Sequence, residues 1–81
     1  MKATVRVFAL ARQLAGQDQI RVDLPPEATV GDLRRAIADQ FPALAALSAH
    51  ALFAVNADYA TDRTQIPAGA DLACIPPVSG G

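Results

Sequence analysis

The stretch TVGDLRRAIADQFP, residues 29–42, decides how this chain folds. Val30, Leu33, Ile37 and Phe41 recur at helical spacing and make one apolar stripe, while Arg34, Arg35, Asp39 and Gln40 take the outer side. Thr29 stands where a hydroxyl can accept from the free amides of a first turn, and Asp32, three residues on, suits the positive end of the helix. Pro42 marks a break or a fresh start, because the residue before a proline avoids helical backbone angles. Ala43 to Leu47 can add another turn. One confident helix must therefore be matched with strands on either side of it.

N-terminal to the helix the period changes to two. From Lys2 to Leu10, Ala3, Val5, Val7 and Ala9 fall on one face and Thr4, Arg6, Phe8 and Leu10 on the other, which predicts a central strand with apolar groups on both sides. ARQLAG, residues 11–16, has good helix formers ending at a glycine, is too short for more than a turn or two and reads as a connector. Ile20, Val22 and Leu24 alternate with Gln19, Arg21 and Asp23 in a second strand, which Pro25 and Pro26 must end because proline cannot donate to a ladder. A short connection between the two predicts an antiparallel pair. Beyond the helix, Leu52 to Asn56 reads as a buried strand, Tyr59 as part of a very short one, and Asp71 to Ile75 as the last, after a turn at Pro67-Ala68-Gly69. The expected architecture is α+β, a mixed four- to five-stranded sheet wrapped on one main helix in the manner of ubiquitin-like β-grasp domains.

Size and charge narrow the function. At 81 residues the chain is one small domain, and 52% apolar with 19% charged residues places it among folding sequences. A formal net charge of −1 offers no electrostatic footprint for nucleic acid or anionic lipid, so neither is expected as a partner. The opening MKATVRVFAL has neither an apolar export core nor a cleavage site, and no stretch approaches the roughly 20 apolar residues of a membrane span, so a cytoplasmic protein is expected. The one cysteine, Cys74, excludes an internal disulfide and suits a reducing compartment.

Resident chemistry is missing. No metal-ligand, nucleophile-elbow or phosphate-loop motif occurs, and the eight carboxylates are scattered without a pair at acid–base spacing. His50, in SAHAL, has no second ligand near it and reads as a surface histidine; Cys74 reads as a small packing group in the last strand. What stands out is the end, IPPVSGG, residues 75–81. Pro76 and Pro77 hold φ near −65° and remove two donors, so the chain must leave the sheet there as a stiff extended arm. Gly80 and Gly81 have no Cβ, can thread a narrow passage, and let a foreign backbone approach the terminal carboxylate. Composition alone reads them first as a frayed end. The division expected is a folded body over 1–75 and an arm over 76–81.

The whole chain resembles the small subunits of molybdopterin synthase, a family of β-grasp sulfur carriers. FALARQLAG is similar to that family's first strand and turn, TVGDLRRAIADQFP to its helix, and the closing PPVSGG is its most specific feature. The resemblance implies that an E1-like enzyme, using ATP, adenylates the Gly81 carboxylate, that a sulfur donor converts it to a thiocarboxylate, and that Gly80 and Gly81 then enter the large synthase subunit. There the sulfur passes to cyclic pyranopterin monophosphate in molybdenum cofactor synthesis. It implies a heterotetramer of two small and two large subunits, no cofactor bound to this chain, and acid, base and substrate-binding groups supplied by the partner. Partner contacts would come from Phe8, Ile75 and Val78, with Arg12 at the edge and Pro76, Pro77 and Ser79 along the arm; Phe8 and Ile75 read equally well as core. Ala70-Asp71 replaces a common acidic pair and Cys74-Ile75 replaces common aromatics, which bears on partner contact and not on the arm's chemistry. A carrier for thiamin or amino-acid synthesis, a protein modifier, and a binding module with an inert end are the alternatives.

Overall fold

A computed structural model describes residues 1–77, so the expectations for Val78, Ser79, Gly80 and Gly81 lie outside the described residues. The strands are β1 (Lys2–Val7), β2 (Gln19–Asp23), β3 (Leu52–Val55), β4 (Asp58–Ala60) and β5 (Leu72–Ile75). They form one sheet in the order β2-β1-β5-β3-β4. β1 runs parallel to β5, and every other neighbouring pair is antiparallel, so the sheet is mixed as anticipated. The helices are α1 (Ala9–Ala15), α2 (Val30–Gln40) and α3 (Ala45–Ser48), with a 3-10 turn over Pro42–Leu44 leading into α3.

α2 is the main helix and starts where Thr29 places it. The Thr29 hydroxyl accepts from the Asp32 amide while the Thr29 amide donates to the Asp32 carboxylate at 2.9 Å, a reciprocal capping box. Val30, Leu33 and Ile37 are fully buried against Val5, Val7, Ile20, Val22, Phe53, Leu72 and Cys74 from the sheet. Each large side chain so buried contributes about 1.5–3 kcal/mol. Gly31 is required by a close approach: a Cβ there would meet the Asp62 carbonyl at 3.2 Å, on the loop whose backbone accepts from the Gly31 amide.

Arg34 is not on an outer face. Its guanidinium donates to the carbonyls of Ser48 and Ala51 at 2.6 and 2.8 Å, to Asp62 at 2.9 Å, and lies 4.9 Å from the centre of the Phe53 ring. It satisfies the carbonyls at the end of α3, which is too short to be held by its own hydrogen bonds. At the other end of α2, the Gln40 amide exchanges two 2.9 Å hydrogen bonds with the backbone of Asp23, covering part of the exposed edge of β2.

Two expectations are corrected. The first strand ends at Val7 rather than Leu10, and the presumed connector is a helix of 7 residues, so α2 is not the only helix. The cause is a sharp turn: Ala9 takes φ +51, swinging the chain out of the sheet, after which Ala, Leu, Arg and Gln propagate a helix that Gly16 stops in the left-handed conformation at φ +71. Among the described residues, no helix is long and apolar enough to cross a membrane.

Candidate functional site

The site is built by the parallel pairing of β1 with β5. Val5, Arg6 and Val7 lie beside Leu72, Ala73 and Cys74. Both strands thus end at the same edge of the sheet, β1 turning into α1 and β5 running into Pro76 and Pro77. Val5, Val7, Leu72 and Cys74 face the core, so the alternation sends Arg6, Ala73 and Ile75 to the opposite, helix-free face. Phe8 follows Arg6 onto that face, its ring 5.9 Å from the Arg6 guanidinium. Ile75 is paired across the sheet with Leu52, and Ala73 with Ala54, which in turn faces Tyr59.

The open face therefore carries an apolar patch where β5 runs into Pro76. Phe8 is 42% exposed, Leu52 53% and Tyr59 71%, while Ile75 is half-buried between them. Exposed large apolar groups that sit together on one face of a small domain mark a surface meant to be covered. The rim is ionic. Arg6 donates to Asp71 at 2.7 Å, and Arg12, on α1, pairs with Asp18 at 2.6 Å, both pairs solvent-exposed and so worth little to the fold. Such pairs are available to exchange partners when another surface arrives.

Of the residues expected to form the site, Phe8, Arg12, Ile75, Pro76 and Pro77 converge on this edge. The alternative of Phe8 as core is excluded by its exposure. Pro76 is half-buried and Pro77 exposed, and Val78, Ser79, Gly80 and Gly81 continue from there outside the described residues. Sequence reasoning missed Leu52 and Tyr59. Leu52 was hidden because it begins a short apolar run that reads as uniformly buried, and only the register with Ile75 reveals which way it faces.

The groups set aside as inert stay so. Cys74 is buried, and that burial pushes its thiol up to about 11, against a smaller opposing pull from the Arg34 charge, so it is an un-ionised packing group at neutral pH. His50 is exposed. Among the described residues no three His, Cys, Asp or Glu side chains come together as a metal site. What the arrangement can do is bring Pro76 and Pro77 out of β5 beside an exposed apolar face.

A model of the ThiS family matches residues 5–81. The chain is 37% identical over 79 residues to the molybdopterin synthase sulfur carrier subunit of Caenorhabditis briggsae, covering 95% of this chain and 94% of that protein. It is 36% identical to small archaeal modifier protein 1 of Haloferax volcanii, covering 94% and 97% of the two chains. A crystal structure of that archaeal protein superposes with a TM-score of 0.82 at 33% identity over the whole of both chains. A complex of subunits 1 and 2 of the molybdopterin-converting factor of Helicobacter pylori gives 0.67 at 22% identity, covering all of both chains, a likeness of fold.

Proposed function

The chain belongs to the ThiS family, and from that premise we propose that it is the sulfur-carrier subunit of a molybdopterin synthase. The observation that carries the reading is the parallel pairing of β1 and β5, which brings the arm's root and the apolar patch of Phe8, Ile75 and Leu52 to one edge. The C. briggsae relative carries that function in its name at 37% identity.

The chemistry assigned to this chain is that of its terminal acyl group. A carboxylate is a poor electrophile, so the Gly81 carboxylate first attacks the α-phosphorus of ATP on an activating enzyme, releasing pyrophosphate and leaving an acyl-adenylate. A sulfur donor then displaces AMP. The thiocarboxylate that results is ionised at neutral pH, as a carboxylate is, but its sulfur is much the stronger nucleophile. Inside the large synthase subunit its sulfur bonds to a side-chain carbon of cyclic pyranopterin monophosphate as an oxygen substituent of that carbon leaves; water then cleaves the acyl–sulfur bond, leaving the sulfur on the pterin and returning the Gly81 carboxylate. Two such transfers build the dithiolene of molybdopterin, consistent with a heterotetramer that seats two carriers. The carrier supplies no acid or base, holds no cofactor, and works where ATP and its enzymes are, in the cytoplasm.

Mass spectrometry tests this. After incubation with an activating enzyme, ATP and a sulfur source, a gain of about 16 Da, oxygen replaced by sulfur in the activated acyl group, is expected on Gly81. The loaded chain should then support molybdopterin formation with the large subunit. Deleting Gly80 and Gly81 should abolish both steps and leave the thermal unfolding unchanged. An unaltered mass under conditions that load a known carrier overturns the reading.

The likeness to small archaeal modifier protein 1 favours a second use of the same acyl-adenylate, attack by a lysine amine to give an isopeptide. Conjugates of higher mass, in place of the thiocarboxylate, would identify it.

A further inference from the structure

The arm's root has a second apolar flank, on the side away from the sheet patch. Leu10 and Leu14 stand one turn apart on α1 and are 52% and 45% exposed. They face Ala46 and Leu47 of α3 across an open groove of about 650 Å³, along which Pro76 and Pro77 run. α1 buries only Ala11 fully in the core, so its two leucines are turned outward and leave about half of their apolar surface open to solvent.

We propose that this groove takes an apolar segment of the same large subunit that receives the arm, so that the arm's root is gripped from both sides. The inference rests on the proposed function and adds a contact surface to it. Continuity argues for one occupant: the chain crosses from patch to groove in three residues at Phe8-Ala9-Leu10, and again at Ile75-Pro76-Pro77. A catalyst that encloses the arm as far as Pro76 brings its own surface over both flanks. The lining defines the chemistry of the segment. Its one ionisable side chain is His50, with no carboxylate or guanidinium, in contrast to the Arg6, Arg12 and Asp71 rim of the sheet patch. A charged segment entering this groove would be desolvated without a counter-charge. An aliphatic or aromatic segment would replace water on Leu10, Leu14 and Leu47.

The test is titration calorimetry of the full-length carrier against the molybdopterin synthase large subunit, with Leu14→Asp, Ala46→Arg, Leu14→Met and the distant Arg63→Glu. Thermal unfolding establishes that each variant is folded. Leu14→Asp and Ala46→Arg should each raise Kd at least tenfold, while Leu14→Met and Arg63→Glu stay within twofold of the parent. Binding by Leu14→Asp and Ala46→Arg as tight as the parent's, in a series where Phe8→Asp is impaired, overturns the groove contact and leaves the functional reading intact. So does an effect confined to loading by the activating enzyme, or to self-association seen by sedimentation. Absence of binding by the parent itself overturns the functional reading, and this inference with it.

Discussion

Val7 and Cys74 are register partners on neighbouring parallel strands, both buried, and their pairing puts Phe8 and Ile75 level with one another at the edge where the arm begins. Residues 67 positions apart in sequence are thereby made into one surface. The consequence is mechanical as well as geometric: Pro76 follows a strand hydrogen-bonded on both sides, so a partner that holds the patch also fixes the position of Pro76 and Pro77.

Phe8→Asp should weaken binding to the large subunit about ten- to a hundredfold, the loss expected when a large apolar contact of roughly 1.5–3 kcal/mol is removed. Because the ring is 42% exposed, the fold should survive. Calorimetric titration together with a thermal melt separates the two effects. Binding at the parent's affinity would show that the sheet patch is not the docking face.

Thr29→Ala removes the hydroxyl half of the capping box and should cost about 1 kcal/mol, lowering the melting temperature by roughly 4–8 °C for a domain of this size. A pH effect accompanies it. The Thr29 amide, and then Arg35 at 2.6 Å, hold Asp32 below its ordinary carboxylate value of 3.8. A group whose pKa is lowered by folding stabilises the protein above its unfolded value and ceases to do so as pH falls through the folded one. Stability should therefore drop below pH 3.8, and Asp32→Asn should flatten that part of the profile. Chemical denaturation at several pH values measures both.

Arg34→Ala should be the most damaging change at a charged position of α2. It strips the donors from the carbonyls of Ser48 and Ala51, and hydrogen bonds to a charged group contribute about 1.5–3 kcal/mol each at most sites. A loss of about 2–4 kcal/mol is expected, with α3 opening first. Arg34→Lys should recover only part, since an ammonium lacks the planar fork that serves both carbonyls and Asp62 together. Urea unfolding gives the energies, and amide exchange at residues 45–51 gives the order of opening.

Cys74 should resist alkylation in the folded chain at pH 8 and react fully in denaturant, because burial holds its thiol up to about 11. The sign for stability is opposite to that of Asp32. A thiol whose pKa is raised by folding favours the folded state below its unfolded value, and that contribution is lost as pH rises through the folded one. Alkaline unfolding should begin above pH 9 and be delayed in Cys74→Ala relative to its own stability at neutral pH. Rapid native labelling at pH 8 would contradict the packing role.

Local chemistry was enough to determine α2, because Thr29, Asp32 and the Val30, Leu33, Ile37 spacing are signals carried within about three turns of backbone. It was likewise enough for the alternation within β1 and β2 and for the packing role of Cys74. Tertiary structure decided the rest. ARQLAG became part of a helix through a left-handed turn at Ala9 that no propensity announces, and Arg34, polar by type, was drawn inward by carbonyls 14 and 17 residues away. Which apolar residues are core and which are contact surface depends on strand register, and register is a relation between distant segments. Leu52 and Phe8 are as apolar as their buried neighbours, and only the pairing of β1, β5 and β3 turns them outward; Leu10 and Leu14 are exposed because α1 turns its Ala11 face to the core.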